Sequence, residues 1–279
     1  MLWKTTGARS WYNSLQVSVL KRLNHGLQFQ SAYTLGKQTS DQNQAQLNGD
    51  IGGGGSVFSP NPLDPKYNMG PAPWDLRHNL KFNATYHLPQ FASSTEVKSK
   101  LLNGWWLSTS VSLQSGYPFG LAINQNRSRS GVNGAGTGID YPNLLPGINP
   151  ADVTKGVSRG CLGVPAGTPV GTPDLWYDPC AFSIPQLGYL GNSGRNSLRG
   201  PGYANVNLSF VKDNNLGGTR RLEFRAEVFN VLNRANFSLP SRTVFSALAD
   251  VEAPLLSAGR ITTTNSPARQ LQVSTRITF

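Results

Sequence analysis

No stretch of this sequence approaches the eighteen consecutive apolar residues that a membrane-crossing helix requires, so a transmembrane helix is excluded. Charge is also scarce. At 14% of residues it is too little for a highly charged disordered chain. Basic residues never form a tract of five, and no zinc-finger, RRM or basic-helix pattern accompanies the net charge of +11, so no nucleic-acid partner is expected. The two cysteines, Cys161 and Cys180, have no companion ligands at zinc-site spacing, and no metal is expected. The three histidines, His25, His78 and His87, form no constellation that supports a catalytic site, and no cofactor is implied. The opening MLWKTTGARSWYN lacks the n-region, apolar core and cleavage site of an export signal.

What the chain does have is period-two alternation, repeated from end to end. In YNSLQVSVLKR, Leu15, Val17 and Val19 oppose Ser14, Gln16 and Ser18; in LQFQSAYTLGK, Leu27, Phe29, Ser31, Tyr33 and Leu35 oppose Gln28, Gln30, Ala32 and Thr34. HNLKFNATYHL, GWWLSTSVSLQSG, YANVNLSFVK, TRRLEFRAEVFNVLN and RQLQVSTRITF repeat the pattern. This is strand periodicity, and it predicts an all-β chain of about seven antiparallel strands near 11–21, 26–37, 78–88, 104–116, 203–212, 219–233 and 269–279. A soluble sandwich would alternate in the same way, so periodicity alone does not choose the solvent.

The connections do choose. Short and long segments alternate strictly by sheet end, and the long ones, 38–77, 117–202 and 234–268, all fall at one end. Barrels with short periplasmic turns and longer extracellular loops have this arrangement, whereas structureless loops beyond about fifteen residues are uncommon in compact soluble domains. About ten residues per strand, at roughly 3.3 Å each and tilted near 45°, cross close to the apolar band of about 25 Å in an outer membrane. Trp11, Tyr12, Tyr86, Trp105, Tyr203 and Phe279 lie near strand ends, where an aromatic girdle belongs. The expected fold is thus an antiparallel transmembrane β-barrel segment spanning 1–279. Seven strands leave two free edges, and unpaired backbone in lipid costs several kcal/mol per group. The segment is therefore incomplete as a closed barrel, and the expectation is that further strands lie upstream. Lipid of the bacterial outer membrane is the expected surrounding, and its acidic headgroups suit the basic balance of the chain.

WDLRHNLKFNATYHLP (Trp74 to Pro89), LSTSVSLQSGYPF (Leu107 to Phe119), LEFRAEVFNVLNRANF (Leu222 to Phe237) and the aromatic-terminated RQLQVSTRITF resemble the C-terminal barrel of TonB-dependent receptors, particularly the Oar-like subgroup. The resemblance implies the last third of a twenty-two-stranded barrel around an N-terminal plug, with a coupling motif that engages the TonB machinery. Plug and coupling motif are not recognisable in this sequence. A structural or adhesive surface protein is the competing reading, and a secreted β-sandwich binding module a third.

Candidate sites are correspondingly few. Arg221, Glu223, Arg225 and Glu227 alternate in sign on one face, as side chains of a polar lumen would, with partners on neighbouring strands. Cys161 and Cys180 lie in the longest loop, where an exported protein could join them; two free thiols is the other reading. Arg127, Arg129, Arg159, Trp176 and Tyr177 in that loop offer charge and aromatic surface to a ligand, or else fold the loop over the barrel. The glycines of IGGGGSV and of SRSGVNGAGTG lack a phosphate-loop ending and read as loop. NPLDPKYN does not match a calcium loop.

Overall fold

The computed structural model describes residues 9–41, 61, 63–90, 97–130 and 140–279. Seven long strands form one antiparallel sheet in sequence order: β1 (Ser10–Asn24), β2 (Leu27–Ser40), β3 (His78–His87), β4 (Trp105–Gln114), β5 (Tyr203–Gly217), β6 (Arg220–Phe229) and β7 (Gln270–Thr278). Among the described residues β1 and β7 each keep one unpaired edge, so the sheet is not closed.

Local chemistry sets the short turns. β1 and β2 are joined by His25 and Gly26, both left-handed at φ 50° and 76°. A Cβ on Gly26 would lie 2.3 Å from the His87 carbonyl, and the Gly26 carbonyl itself accepts from His87 N–H at 2.8 Å, so only glycine fits there. The β5–β6 connection is shorter than the sequence suggests. Asp213, Asn214 and Asn215 continue the ladder opposite Glu223, Leu222 and Arg221, leaving only Gly218 and Thr219 outside the strands. β6 in turn stops at Phe229 rather than near 233, because Asn230 adopts φ 50° and cannot continue a strand.

Register carries the alternation across the whole sheet. One row runs Val17, Tyr33, Leu80, Leu113, Ala204; another runs Phe29, Ala84, Thr109, Leu208, Val228, Leu271. On the opposite face the rows read Leu20, Gln30, Asn83, Ser110, Asn207 and Gln28, Thr85, Ser108, Ser209, Glu227, Gln272. The sheet is therefore apolar on one face and rich in amides and hydroxyls on the other. Tyr12 and Tyr203 depart from the girdle expected of them. Tyr12 flanks Gly36 and Tyr203 stands opposite Gln114, which puts both on the polar face; Trp11, Tyr86 and Trp105 share the apolar one.

The hydrophobic core cluster lies in the loops, and of the apolar side chains on the described long strands only Val211 is fully buried. All three long connections emerge at one end, and two of them, 115–202 and 230–269, supply Phe119, Leu121, Ile123, Val153, Tyr177, Phe182, Leu198, Val244 and Phe245, each nearly or fully buried. Short pairings knit this cap: Pro118–Phe119 with Leu198–Arg199, Asn143–Leu144 with Phe182–Ser183, and Ala122–Ile123 parallel to Thr243–Phe245. The strands enter it through asparagines. Asn230 Nδ2 donates to the Arg234 and Pro267 carbonyls, Asn233 Oδ1 accepts from Arg269 N–H, and the buried Asn236 accepts from Ala204 N–H at 2.8 Å while donating to Ser266. The FNVLNRANF segment is thus a strand exit in which side-chain amides replace the ladder partners that the backbone has lost.

Asn236→Ala should destabilise the protein by about 1 to 3 kcal/mol, because it leaves the Ala204 N–H without a partner. Urea unfolding of the membrane-inserted protein measures this, and an unchanged midpoint would mean that the amide contributes nothing.

Candidate functional site

Two regions gather chemistry: the polar face of the sheet and the cap. On the polar face Arg225 holds the centre. Its Nε donates to Glu223 Oε1 at 3.1 Å, its guanidinium lies 3.7 Å from Glu227, and it sits 5.5 Å above the Trp106 ring. Trp106 stacks on His87 and donates to Asp213 Oδ2 at 2.9 Å; Ser209 donates to Glu227. Of the four residues expected to pair between strands, Glu223, Arg225 and Glu227 instead form ion pairs along their own strand, since side chains two apart in a strand share a face. Arg221 stands apart, exposed, opposite Asn215 and Thr278. Lys212 falls on the apolar face, opposite Trp105, and escapes it by turning its ammonium to the Asn103 carbonyl and to Asn214 Oδ1.

In the cap, Cys161 and Cys180 are joined, their Cα atoms 5.4 Å apart. The bond constrains the unfolded chain by about 3 kcal/mol. Three of the five proposed ligand contacts are structural. Tyr177 is fully buried, meets Phe119 at a tilt and Phe182 edge-on, and donates to the Ser241 carbonyl, so its ring cannot meet a ligand. Trp176 packs on the core and donates to the Arg199 carbonyl at 2.8 Å. Arg127 is buried, bonded to the Pro185 carbonyl and paired with Asp250. Only Arg129 and Arg159 are exposed, the latter 3.9 Å from Asp178. Their local spacing carried no sign of this division, which depends on how the loop packs. His25 lies in the β1–β2 turn, and His78 bonds Tyr33 at the cap end of the sheet, far along β3 from His87. The IGGGGSV segment and residues 131–138 of the second glycine-rich segment lie outside the described residues. In NPLDPKYN, Asp64 accepts from Lys66 N–H and caps a turn of 3-10 helix, a local role for its carboxylate.

Sequence reasoning missed the residues that clasp the cap to the sheet. Asp75, in the WDLRHNL segment, is 2% exposed; it accepts from Gln38 N–H at 2.6 Å and pairs with Arg199, whose guanidinium also reaches the Asp75 and Gly116 carbonyls. Buried Arg195 donates to the Ser40 carbonyl at 2.6 Å and Asn196 to the Pro71 carbonyl at 2.9 Å. A Cβ on Gly116 would lie 1.8 Å from the Gly200 carbonyl, so the two segments cross only because glycine stands there. Tyr67 stacks on Tyr141 with ring centroids 5.7 Å apart, and their hydroxyls donate to the Gly191 carbonyl and to Asn68 Oδ1. Burial, more than the neighbouring Tyr141 and Asp140, raises the Tyr67 phenol well above its ordinary range; burial pushes Tyr141 up to about 12 against the lowering influence of Arg195 and Arg242.

An open antiparallel wall with one apolar face, one polar face and all long loops at one end is a section of a transmembrane β-barrel. A family model described as an outer membrane beta barrel domain matches residues 2–272, and the chain belongs to that family. It is a protein of the bacterial outer membrane. The chain matches no curated protein and no solved structure.

Asp75→Ala removes the acceptor for Gln38 N–H and strands Arg199. The expected cost is about 2 to 4 kcal/mol, below the full range for a buried pair because Arg199 is 31% exposed. Trypsin treatment of intact outer membranes should then cut residues 117–202 faster while the strands stay protected, with Asp75→Asn intermediate. The folded state also holds the Tyr141 proton more tightly than the unfolded chain, whose phenol titrates near 10.0. That contribution to stability is complete below pH 10 and is lost as pH rises toward about 12. Phenolate absorbance at 295 nm should therefore lag behind that of the denatured chain across this window.

Proposed function

We propose that this chain is the C-terminal barrel wall of a TonB-dependent outer-membrane receptor or transporter, with the long loops outside the cell and the polar face lining the lumen. The observation that carries the reading is the unclosed sheet. Its polar face presents a hydrogen-bonding mosaic with an ion-paired Glu–Arg–Glu row, suited to a hydrated interior, and its free edges call for further strands. Further barrel strands, a plug and a coupling segment would complete the device. A solute would be captured outside, and movement of the plug would let it pass without covalent chemistry. No catalytic or cofactor role is assigned.

A second reading, a structural or adhesive surface protein, is favoured by the cap. It is densely packed and exposes Leu162, Leu248, Val251 and Leu256, each more than 70% accessible.

An antibody against Gln270–Thr278, applied to native outer membranes after a high-salt wash, tests the proposal. A retained polypeptide several times the mass of these 279 residues, which binds the periplasmic domain of TonB, is the expected result. A retained band near 30.2 kDa with no TonB binding would reject the receptor reading.

A further inference from the structure

The cap carries an open groove remote from the polar face of the sheet. Pro165, Pro169, Leu175 and Pro179 form one wall, Pro254 and Leu256 the other. Leu256 is 82% exposed, a large aliphatic side chain facing water. Both walls are fixed. The Cys161–Cys180 bond ties the ends of the first, and Cys161 and Val164 exchange backbone hydrogen bonds at 2.9 and 3.0 Å. Trp176 N–H to the Gly259 carbonyl and Ile261 N–H to the Pro173 carbonyl, both 2.8 Å, stitch the first wall to the second.

Asp174 and Arg260 stand between those two stitches, on neighbouring backbone. Both are exposed and both line the groove, yet among the described residues neither side chain has an ion-pair or hydrogen-bond partner. The threonine hydroxyls nearby are partly engaged: Thr168 donates to the Pro165 carbonyl at 2.8 Å, and Thr172 accepts from Leu175 N–H at 3.2 Å. The groove therefore offers rigid apolar walls, one cation, one anion and little else.

We infer that this groove binds a short apolar peptide with both ends free, its carboxylate on Arg260 and its ammonium on Asp174. A sugar would find few hydrogen-bonding groups to meet its hydroxyls, and a polyanion would meet Asp174 as a like charge. The neighbouring placement of the two charges requires a ligand whose own charges are only a few bonds apart, as in a dipeptide. Aliphatic side chains on both walls require more than a single amino acid to cover them. Proline walls lose little conformational freedom when the ligand binds, which favours affinity from a small contact area.

Calorimetric titration of the full-length detergent-solubilised protein with the dipeptide Leu-Leu tests the inference. Saturable binding is expected. It should weaken by about tenfold or more in Arg260→Ala and in Asp174→Ala, and also when the dipeptide is N-acetylated and C-amidated. Lys155→Ala, which changes an exposed cap charge outside the groove, should bind as the parent does. Resistance of Cys161 and Cys180 to alkylation without prior reduction verifies that each variant keeps its cap. Absence of binding at millimolar dipeptide, equal binding of the blocked dipeptide, or equal binding of free leucine would each overturn the assignment. Because the groove lies in the cap, none of these results depends on TonB coupling.

Discussion

In hydrocarbon a backbone N–H or C=O has only another peptide group to bond, and this requirement governs the rest of the molecule. Each long strand is paired along its length, and the pairing runs in sequence order through all seven. Because side chains alternate along a paired strand, the ladder sorts residues into an apolar and a polar face without a separate instruction for each. A one-residue slip would send Leu80, Phe82 and their row to the polar side, so the register is held at both ends by sharp features: the Gly26 turn at one and the Asn230 and Asn236 exits at the other.

A sheet that turns its apolar face to lipid has no apolar face left for a conventional core. The loops build their own instead, from Phe119, Leu121, Tyr177, Val244 and their neighbours. Such a core has to be fastened to the strands, and the fasteners are polar. Arg195 and Arg199 reach the carbonyls and the carboxylate at the end of β2 and in the 68–75 segment, and nearly all their partners are backbone or buried. Guanidinium suits this role because several donors on one rigid plane can satisfy several acceptors at once. The disulfide and the Asp174–Arg260 groove belong to the same cap, outside the reach of the lipid constraint.

Much of the wall was legible. Alternation in the segments around Leu80, Val111 and Val206 identifies strands, and the strict order of long and short connections identifies the two ends. Boundaries slipped where a polar residue obeyed the ladder rather than its turn propensity, as Asn214 and Asn215 did, or where an asparagine broke an apolar run, as Asn230 did. Nothing in the sequence sets Asp75 apart within the long connection 38–77. Its sequence separation from Arg199, 124 positions, is far beyond the range over which spacing carries meaning. Tyr177 left two readings open, a ligand contact or a residue that folds the loop, and its burial against Phe119 and Phe182 decides for the second.

By itself the sequence determined that the chain is all-β, that its strands have one apolar and one polar side, that no helix of it crosses a membrane, and at which end the long loops lie. These follow from periods of two residues and from the lengths between them, both local properties of the chain. The tertiary structure alone decided that the loops pack into a cap with its own core, which arginines clasp that cap to the sheet, that Cys161 and Cys180 meet, and that Asp174 and Arg260 share a groove. Those outcomes depend on contacts between segments separated by tens to hundreds of residues, where the winning partner is chosen by shape and desolvation rather than by any pattern along the chain.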